Sequence, residues 1–285
     1  MVTADDFGFS HGVNRAILRA HREGIVTHAS LMVTGDAAAE AVELARANPS
    51  LAVGLHLVVV SGRAALPPSE IPDLVDAYGL FPRGPVRSGV RYRFGGRSRE
   101  QLRREIRAQL ERFRSTGLPL SHVDGHLHMH LHPVVLARLV ELAPEFGIRT
   151  IRLPREELGW NLAFDRTAVV RKLVWSWVFG RLRLHGERLL SAAGIAYADR
   201  VYGLLQTGRV TPEYLLDLLP RIRSSRTEIY CHPDAVLPGE PRNGPAGAGR
   251  AELEALVSPR VRRAVEDAGL VFETVPVPSV AERWS

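Results

Sequence analysis

The sequence predicts an α/β protein: a single (β/α), TIM-barrel-like domain over residues 1–285, carrying inserted loops and a helical insertion. Three observations predict it. Short apolar runs alternate with amphipathic stretches, and strand–helix alternation with helical crossovers means a parallel sheet. The alternation repeats about six or seven times, which suits a closed or nearly closed barrel better than an open doubly wound sheet. The conspicuous polar motifs fall where apolar runs end, the place where barrels carry function.

The elements follow in order. "MVTA" reads as a first strand and leads into a loop. A first strand should run about five or six residues, yet only Met1 to Ala4 precede Asp5, so either the strand is short or the true start lies upstream. "HGVNRAILRAHREG" reads as a helix ended by glycine. "THASLMVTG" reads as a strand, "AAAEAVELARANPS" as a helix and "LAVGLHLVV" as a buried strand. "SREQLRREIRAQLERFRSTG" is a long helix with a charged outer face. Then come "LSHVDGH", a helix at "PVVLARLVELAPEFG", the strand "IRTIRLP", a further helical stretch and the strand "TEIYCHP". The chain closes with one helix, "AELEALVSPRVRRAVEDAG", and the strand "LVFETV". Two segments interrupt the rhythm. Residues 61–97, rich in Pro, Gly and Arg, read as a long loop or lid, and 166–195 as an amphipathic helical insertion.

Composition narrows the function classes. The chain is 45% hydrophobic, ample for a large core. No run of about 18 uncharged apolar residues suggests a membrane span, and no secretory signal precedes the first motif. A lone cysteine, Cys231, excludes an internal disulfide framework, so the cytoplasm is the expected compartment. The net charge of +6 is carried almost wholly by arginine, spread along the chain without an aromatic-studded basic patch, so nucleic acid is not an expected partner.

Four motifs carry chemistry. "TADDFG" places Asp5 and Asp6 at the end of strand one. Adjacent strand residues point to opposite faces, but a turning chain lets both carboxylates reach one cavity. One aspartate is commonly a helix cap; two in a row fit capping alone less well. His56 lies in the apolar "VGLHLVV", where a lone histidine is more often a satisfied core residue. "LSHVDGHLHMHLHP" holds five of the eleven histidines. Read with the two-residue period of a strand, His122, Asp124, His126, His128, His130 and His132 share one face. Imidazole is the commonest biological metal ligand, though a tetrahedral site takes only about four ligands. "EIYCHPDA" puts His232 at the end of a late strand, with Cys231 facing the core. Asp6, His56 and one or two histidines from 122–132 make an Asp-His-His set, the ligand pattern of a hydrolytic metal site, with Asp5 and His232 as a spare acid and base.

These stretches, "TADDFG" with "HGVN", "GLHLV", "HVDGHLHMH" and "YCHP", resemble in order and spacing the YdjC-like carbohydrate deacetylases. The resemblance covers essentially the whole chain. It implies a barrel that removes acetyl groups from N-acetylated sugars with one divalent metal ion, zinc favoured by two imidazoles and magnesium also compatible. Asp6, His56 and His126 match its metal ligands, Asp5 its catalytic base, and His232 the place of a general acid. His128 and His130 match further motif histidines that shape the sugar site or the metal's surroundings. "LPPSEIPDLVDAYGLF", "HLHP" and "IRLP" are similar to the hopanoid-biosynthesis-associated branch. That branch implies an N-acetylglucosaminyl hopanoid substrate and Asn at the position of Asp124, which leaves the role of this aspartate open. Arg152 is expected to orient an acid or the sugar, or to make a surface ion pair.

The 166–195 segment fits the same expectation. Val170, Leu173, Val174, Trp177 and Leu184 form a helical stripe among arginines, with Trp175 and Phe179 beyond it. It reads either as a buried barrel helix or as an interfacial helix whose Trp175, Trp177 and Phe179 touch lipid. The expected partners are a glycolipid substrate and, peripherally, the inner membrane; a homodimer is compatible. The alternatives are a deacetylase of soluble chito-oligosaccharides and a catalytically silent metal- or sugar-binding protein.

Overall fold

The computed structural model of the protein describes residues 1–272. Six strands alternate with helices: β1 (Val2–Phe7), α1 (His11–Glu23), β2 (His28–Leu31), α2 (Ala38–Arg46), β3 (Ala52–Leu57), α3 (Pro85–Phe94), α4 (Gly96–Ser115) and β4 (Val123–Gly125). A 3-10 turn over His126–Leu131 leads into α5 (Pro133–Phe146), α6 (Leu158–Phe164), α7 (Val169–Ala192), β5 (Arg200–Tyr202), α8 (Pro212–Leu218), β6 (Thr227–Cys231), α9 (Ala248–Leu256) and α10 (Pro259–Asp267). All pairings between these strands are parallel, in the order β4-β3-β2-β1-β6-β5. Burial on both faces explains why the strands read as near-continuous apolar runs rather than as alternation.

The sheet is curled. Its edge strands β4 and β5 are both met by the segment 150–155, the expected strand "IRTIRLP" and the residue after it. The Val123 N–H donates to the Thr150 carbonyl (2.9 Å) and the Arg152 N–H to the Val123 carbonyl (3.1 Å). On the other side Arg155 and Val201 form an isolated antiparallel bridge. This segment forms isolated bridges rather than a continuous strand, and six strands are found among the described residues, so the α/β reading holds with a curled parallel sheet.

Several elements differ from expectation. β1 does not stop before the aspartates but runs six residues through Asp5 and Asp6 to Phe7, which removes the shortage of strand. Residues 61–97 are not all loop: Pro85, preset for a first helical turn, opens α3. α4 buries Leu102, Ile106, Leu110 and Phe113 and also pins this insertion. Its Glu105 accepts from the Ala65 and Leu66 N–H groups at 2.7 and 2.9 Å. The last expected helix is two, because Pro259 pushes Ser258 to φ −65°, ψ 122° and starts α10 afresh. The short β5 was hidden inside a stretch without strand periodicity. Of the expected strand "LVFETV", residues from 273 onward lie outside the described residues. None of the described helices is long and apolar enough to cross a membrane.

Candidate metal centre

The site begins with a break in β1. Its register against β2 shifts between Ala4 and Phe7, and Asp6 takes φ +63°. A non-glycine residue in the left-handed region costs about 1–2 kcal/mol, and aspartate is among the residues that tolerate it best. The bulge lets neighbouring carboxylates serve one cavity. Asp6 meets two imidazoles, while Asp5 meets a guanidinium.

Asp6 Oδ1 lies 2.9 Å from His126 Nδ1 and 3.2 Å from His56 Nε2. The Asn243 side-chain amide donates to Asp6 Oδ2 at 3.0 Å. His56 stands opposite Asp124 in the β3–β4 register, and its Nδ1 is 2.8 Å from Asp124 Oδ1. Asp124 thereby fixes the ring so that Nε2 faces Asp6. Beneath them Arg152, wholly buried, grips Asp5 with both Nη atoms at 2.6 and 2.8 Å. It also lies 2.7 Å from Asp124 Oδ2 and donates from Nε to Glu228 at 2.8 Å. Ser30 Oγ donates to Asp124 Oδ2 at 2.7 Å. Arg152 is therefore not a surface ion pair: it is buried among three carboxylates, Asp5, Asp124 and Glu228.

The histidine run does not keep one face. The strand ends at Gly125, and Leu127 and His128 take φ +50° and +54°. Only His126 turns to Asp6. His128 Nε2 reaches the Tyr230 hydroxyl at 2.8 Å, its ring edge-on to Phe179. The buried His130 uses Nε2 on the Arg152 carbonyl at 3.0 Å. His122 lies under β3 between Ser121 and Ser30 at 2.7 and 3.0 Å; a Cβ on Gly54 would come within 2.5 Å of its ring, so glycine makes room for it. His132 leaves the cluster for Tyr92 on α3. The strand expectation fails beyond Gly125 because the period of two ends with the extended backbone.

His232 sits at the end of β6 with its backbone N–H donating to Glu252 at 2.5 Å. Its Nε2 is 3.9 Å from Asp5 Oδ2, and its side chain is 23% exposed, enough to face an entering molecule. On α7, Phe179 packs against His128 and Trp175 against Phe179, both half-buried, whereas Trp177 is 71% exposed.

Charge runs through the cluster. Burial would raise the Asp6 carboxyl, but His126 and His56 beside it hold it well below the usual range. Burial would lower His56, but Asp124 and Asp6 on its two nitrogens hold it well above the usual imidazole range. Burial lowers His128 and takes His130 down to about 4, so both stay neutral.

The residues fit a divalent cation. Asp6, His56 and His126 each offer a donor atom, all within 4.8 Å of one another, and the set is two imidazoles and one carboxylate. Asp124 behind His56 is the carboxylate–histidine pairing that orients metal-binding imidazoles. Sequence reasoning missed Ser30, Glu228, Tyr230, Asn243 and Glu252. Glu228 and Tyr230 lie in the quoted "EIYCHP", where an acid inside an apolar strand was a usable signal; Asn243 sits in a Pro/Gly-rich loop without one.

The chain also matches known proteins. The profile of the family described as "YdjC-like protein" matches residues 1–267. The chain is similar to a carbohydrate deacetylase of Brevibacillus brevis, 44% identical over 54% of this chain and 58% of that protein. It is similar to one of Geobacillus stearothermophilus, also 44% identical, over 54% of this chain and 60% of that one. The chain thus spans about three-fifths of the length of these curated relatives. In fold it is similar to an Enterococcus faecalis V583 protein assigned to cellobiose-phosphate cleavage, with TM-score 0.70, 24% identity and 96% of each chain covered.

Proposed function

The chain belongs to the YdjC-like protein family, and from that premise we propose that it is a metal-dependent carbohydrate deacetylase. On this reading it hydrolyses the acetamide of an N-acetylglucosaminyl group. The observation that carries the reading is the convergence of Asp6, His56 and His126 with Asp5 and His232 beside them. A silent metal- or sugar-binding protein would need neither of the last two.

Asp6, His56 and His126 would hold the ion, with zinc favoured by the imidazoles and magnesium the alternative. When bound, a divalent ion supplies Lewis acidity toward a carbonyl and toward water. The other roles belong to side chains. Asp5, fixed at both oxygens by the Arg152 fork, takes the proton of the attacking water. His232 gives a proton to the departing sugar nitrogen as the C–N bond breaks, leaving glucosamine and acetate. Asp124 keeps His56 in one tautomer through its 2.8 Å contact. His128, neutral and hydrogen-bonded to the buried Tyr230 hydroxyl at 2.8 Å, is held in place beside the site.

The acceptor we favour is a lipid-linked sugar, an N-acetylglucosaminyl hopanoid, handled by a cytoplasmic protein at the inner face of the membrane. The observation in favour is that the predicted stripe on α7 is exposed rather than buried: Val170, Leu173, Val174, Trp177 and Leu184 all face outward. Soluble chito-oligosaccharides are the second reading, favoured by the 23% exposure of His232, which an unanchored sugar could also reach. Mass spectrometry of acetate release from N-acetylglucosaminyl lipids and soluble oligomers, with and without chelator, tests both. Release from neither class, or release indifferent to chelator, contradicts the proposal.

A further inference from the structure

The site's mouth is flanked by a second exposed apolar helix that no part of the proposed chemistry uses. On α3, Val86, Val90 and Phe94 recur every four residues on one face, and Val86 and Phe94 are 79% and 77% exposed. On α7, Val170, Leu173, Val174 and Trp177 form a like stripe. Both helices border the His126–Leu131 turn that carries the candidate ligand His126. From α3, Tyr92 packs edge-on to His132; from α7, Phe179 packs edge-on to His128.

The charge carried by the two stripe-bearing segments themselves is basic, with acids only at their borders: Asp165 on Lys172, Glu187 on Arg183 and Asp73 on Arg97. Residues 83–99 contain six arginines and no acid, and 166–186 contain four arginines, one lysine and no acid. Arg83, Arg87 and Arg93 on the first, and Arg166 and Arg181 on the second, are exposed and make no ion pair among the described residues. The lysine, Lys172, is spent internally on Asp165 at 2.9 Å. Exposed apolar stripes flanked by a surplus of unpaired arginines match the headgroup region of an anionic bilayer, where aromatic and aliphatic groups enter the boundary and guanidiniums meet phosphates. A surface without a dense array of anions would leave most of those arginines unmatched.

We propose that α3 and α7 together form a docking surface for an anionic lipid bilayer, placing the Asp6–His56–His126 site at the membrane surface. This deepens the lipid-linked-substrate reading and rests on it for its purpose, but not for its measurement. The full chain is sedimented with vesicles of phosphatidylcholine mixed with phosphatidylglycerol, and with phosphatidylcholine alone, all free of sugar. The wild type is expected to bind the anionic vesicles, more weakly as salt rises. The exposed double variant F94S/W177S is expected to lose roughly tenfold in binding while hydrolysing a soluble N-acetylated chito-oligosaccharide at the wild-type rate. Absence of binding to anionic vesicles, or equal binding by wild type and variant, overturns the proposal. So does a wild-type dimer that the variant dissolves without any vesicle binding, since the faces would then cover each other in a second copy. Vesicle binding by a protein that releases no acetate would leave the docking surface standing and remove the deacetylase reading.

Discussion

His56 Nδ1 and Asp124 Oδ1 stand 2.8 Å apart across β3 and β4, with both side chains buried. The pair is directly opposed in the parallel register. One nitrogen of the ring is thereby committed, and the other is left facing Asp6 at 3.2 Å. Asp124 is thus tied to the candidate metal centre although it is two residues away from the nearest histidine of its own run.

Removing this tie should loosen metal binding without abolishing it. The D124A variant is expected to lose about 10- to 100-fold in zinc affinity, the usual cost of removing the partner that orients a ligating imidazole. D124N, which keeps an acceptor for the His56 N–H but gives up the charge opposite Arg152, should lose less. Competition with a chromophoric chelator measures both, and unchanged affinity in D124A would remove Asp124 from the site.

Asp5 is tied to Arg152 and the candidate ligands to Asp6, so the two aspartates should separate experimentally. D5N should lower kcat by roughly 10²- to 10⁴-fold while the protein still carries stoichiometric metal by elemental analysis. D6N should lose the metal itself. Full turnover in D5N would sink the assignment of Asp5 as base.

Arg152 has a structural burden as well. It is the cation shared by Asp5, Asp124 and Glu228, and burial alone would lower its pKa, yet those carboxylates raise it well above the ordinary value. Truncation to methionine leaves buried carboxylates without their counter-charge, a change that costs about 3–5 kcal/mol. Lysine restores charge but not the fork that holds Asp5 at two points, so R152K should recover part of the stability and little of the turnover. Urea midpoints are the measurement, and a loss below about 1 kcal/mol in R152M contradicts this account.

The chemistry was more legible in the sequence than the scaffold that aims it. "TADDFG", "GLHLV" and "YCHP" lie at strand ends, where position follows from topology, and so Asp5, Asp6, His56 and His232 could be read as neighbours. The histidine run misled because a period of two presupposes extended backbone, and nothing in "GHLHMHLHP" announces positive φ at Leu127 and His128. α3 was missed for a related reason: its Gly- and Arg-rich composition resembles a loop, and its apolar stripe faces outward, so no buried face imposed a pattern. The α7 stripe was visible, but periodicity cannot tell a stripe that faces a core from one that faces outward.

Glu156 offers a test of buried charge away from the metal centre. It accepts from the Leu204 and Leu205 N–H groups at 2.5 and 3.2 Å, and burial pushes its carboxyl up from 4.5 to about 7. The folded state therefore holds this proton more tightly than the unfolded chain. The stability it contributes is fully present below about pH 4.5 and is lost as pH rises through about 7. E156Q keeps an acceptor for both N–H groups and never ionises. Relative to wild type it should be near neutral at pH 5 and more stable at pH 8.5, by on the order of 2 kcal/mol. Thermal unfolding of the two proteins across that range checks the sign: a difference that stays flat with pH, or that favours the wild type as pH rises, would show that the Glu156 carboxylate is ionised in the fold at no cost.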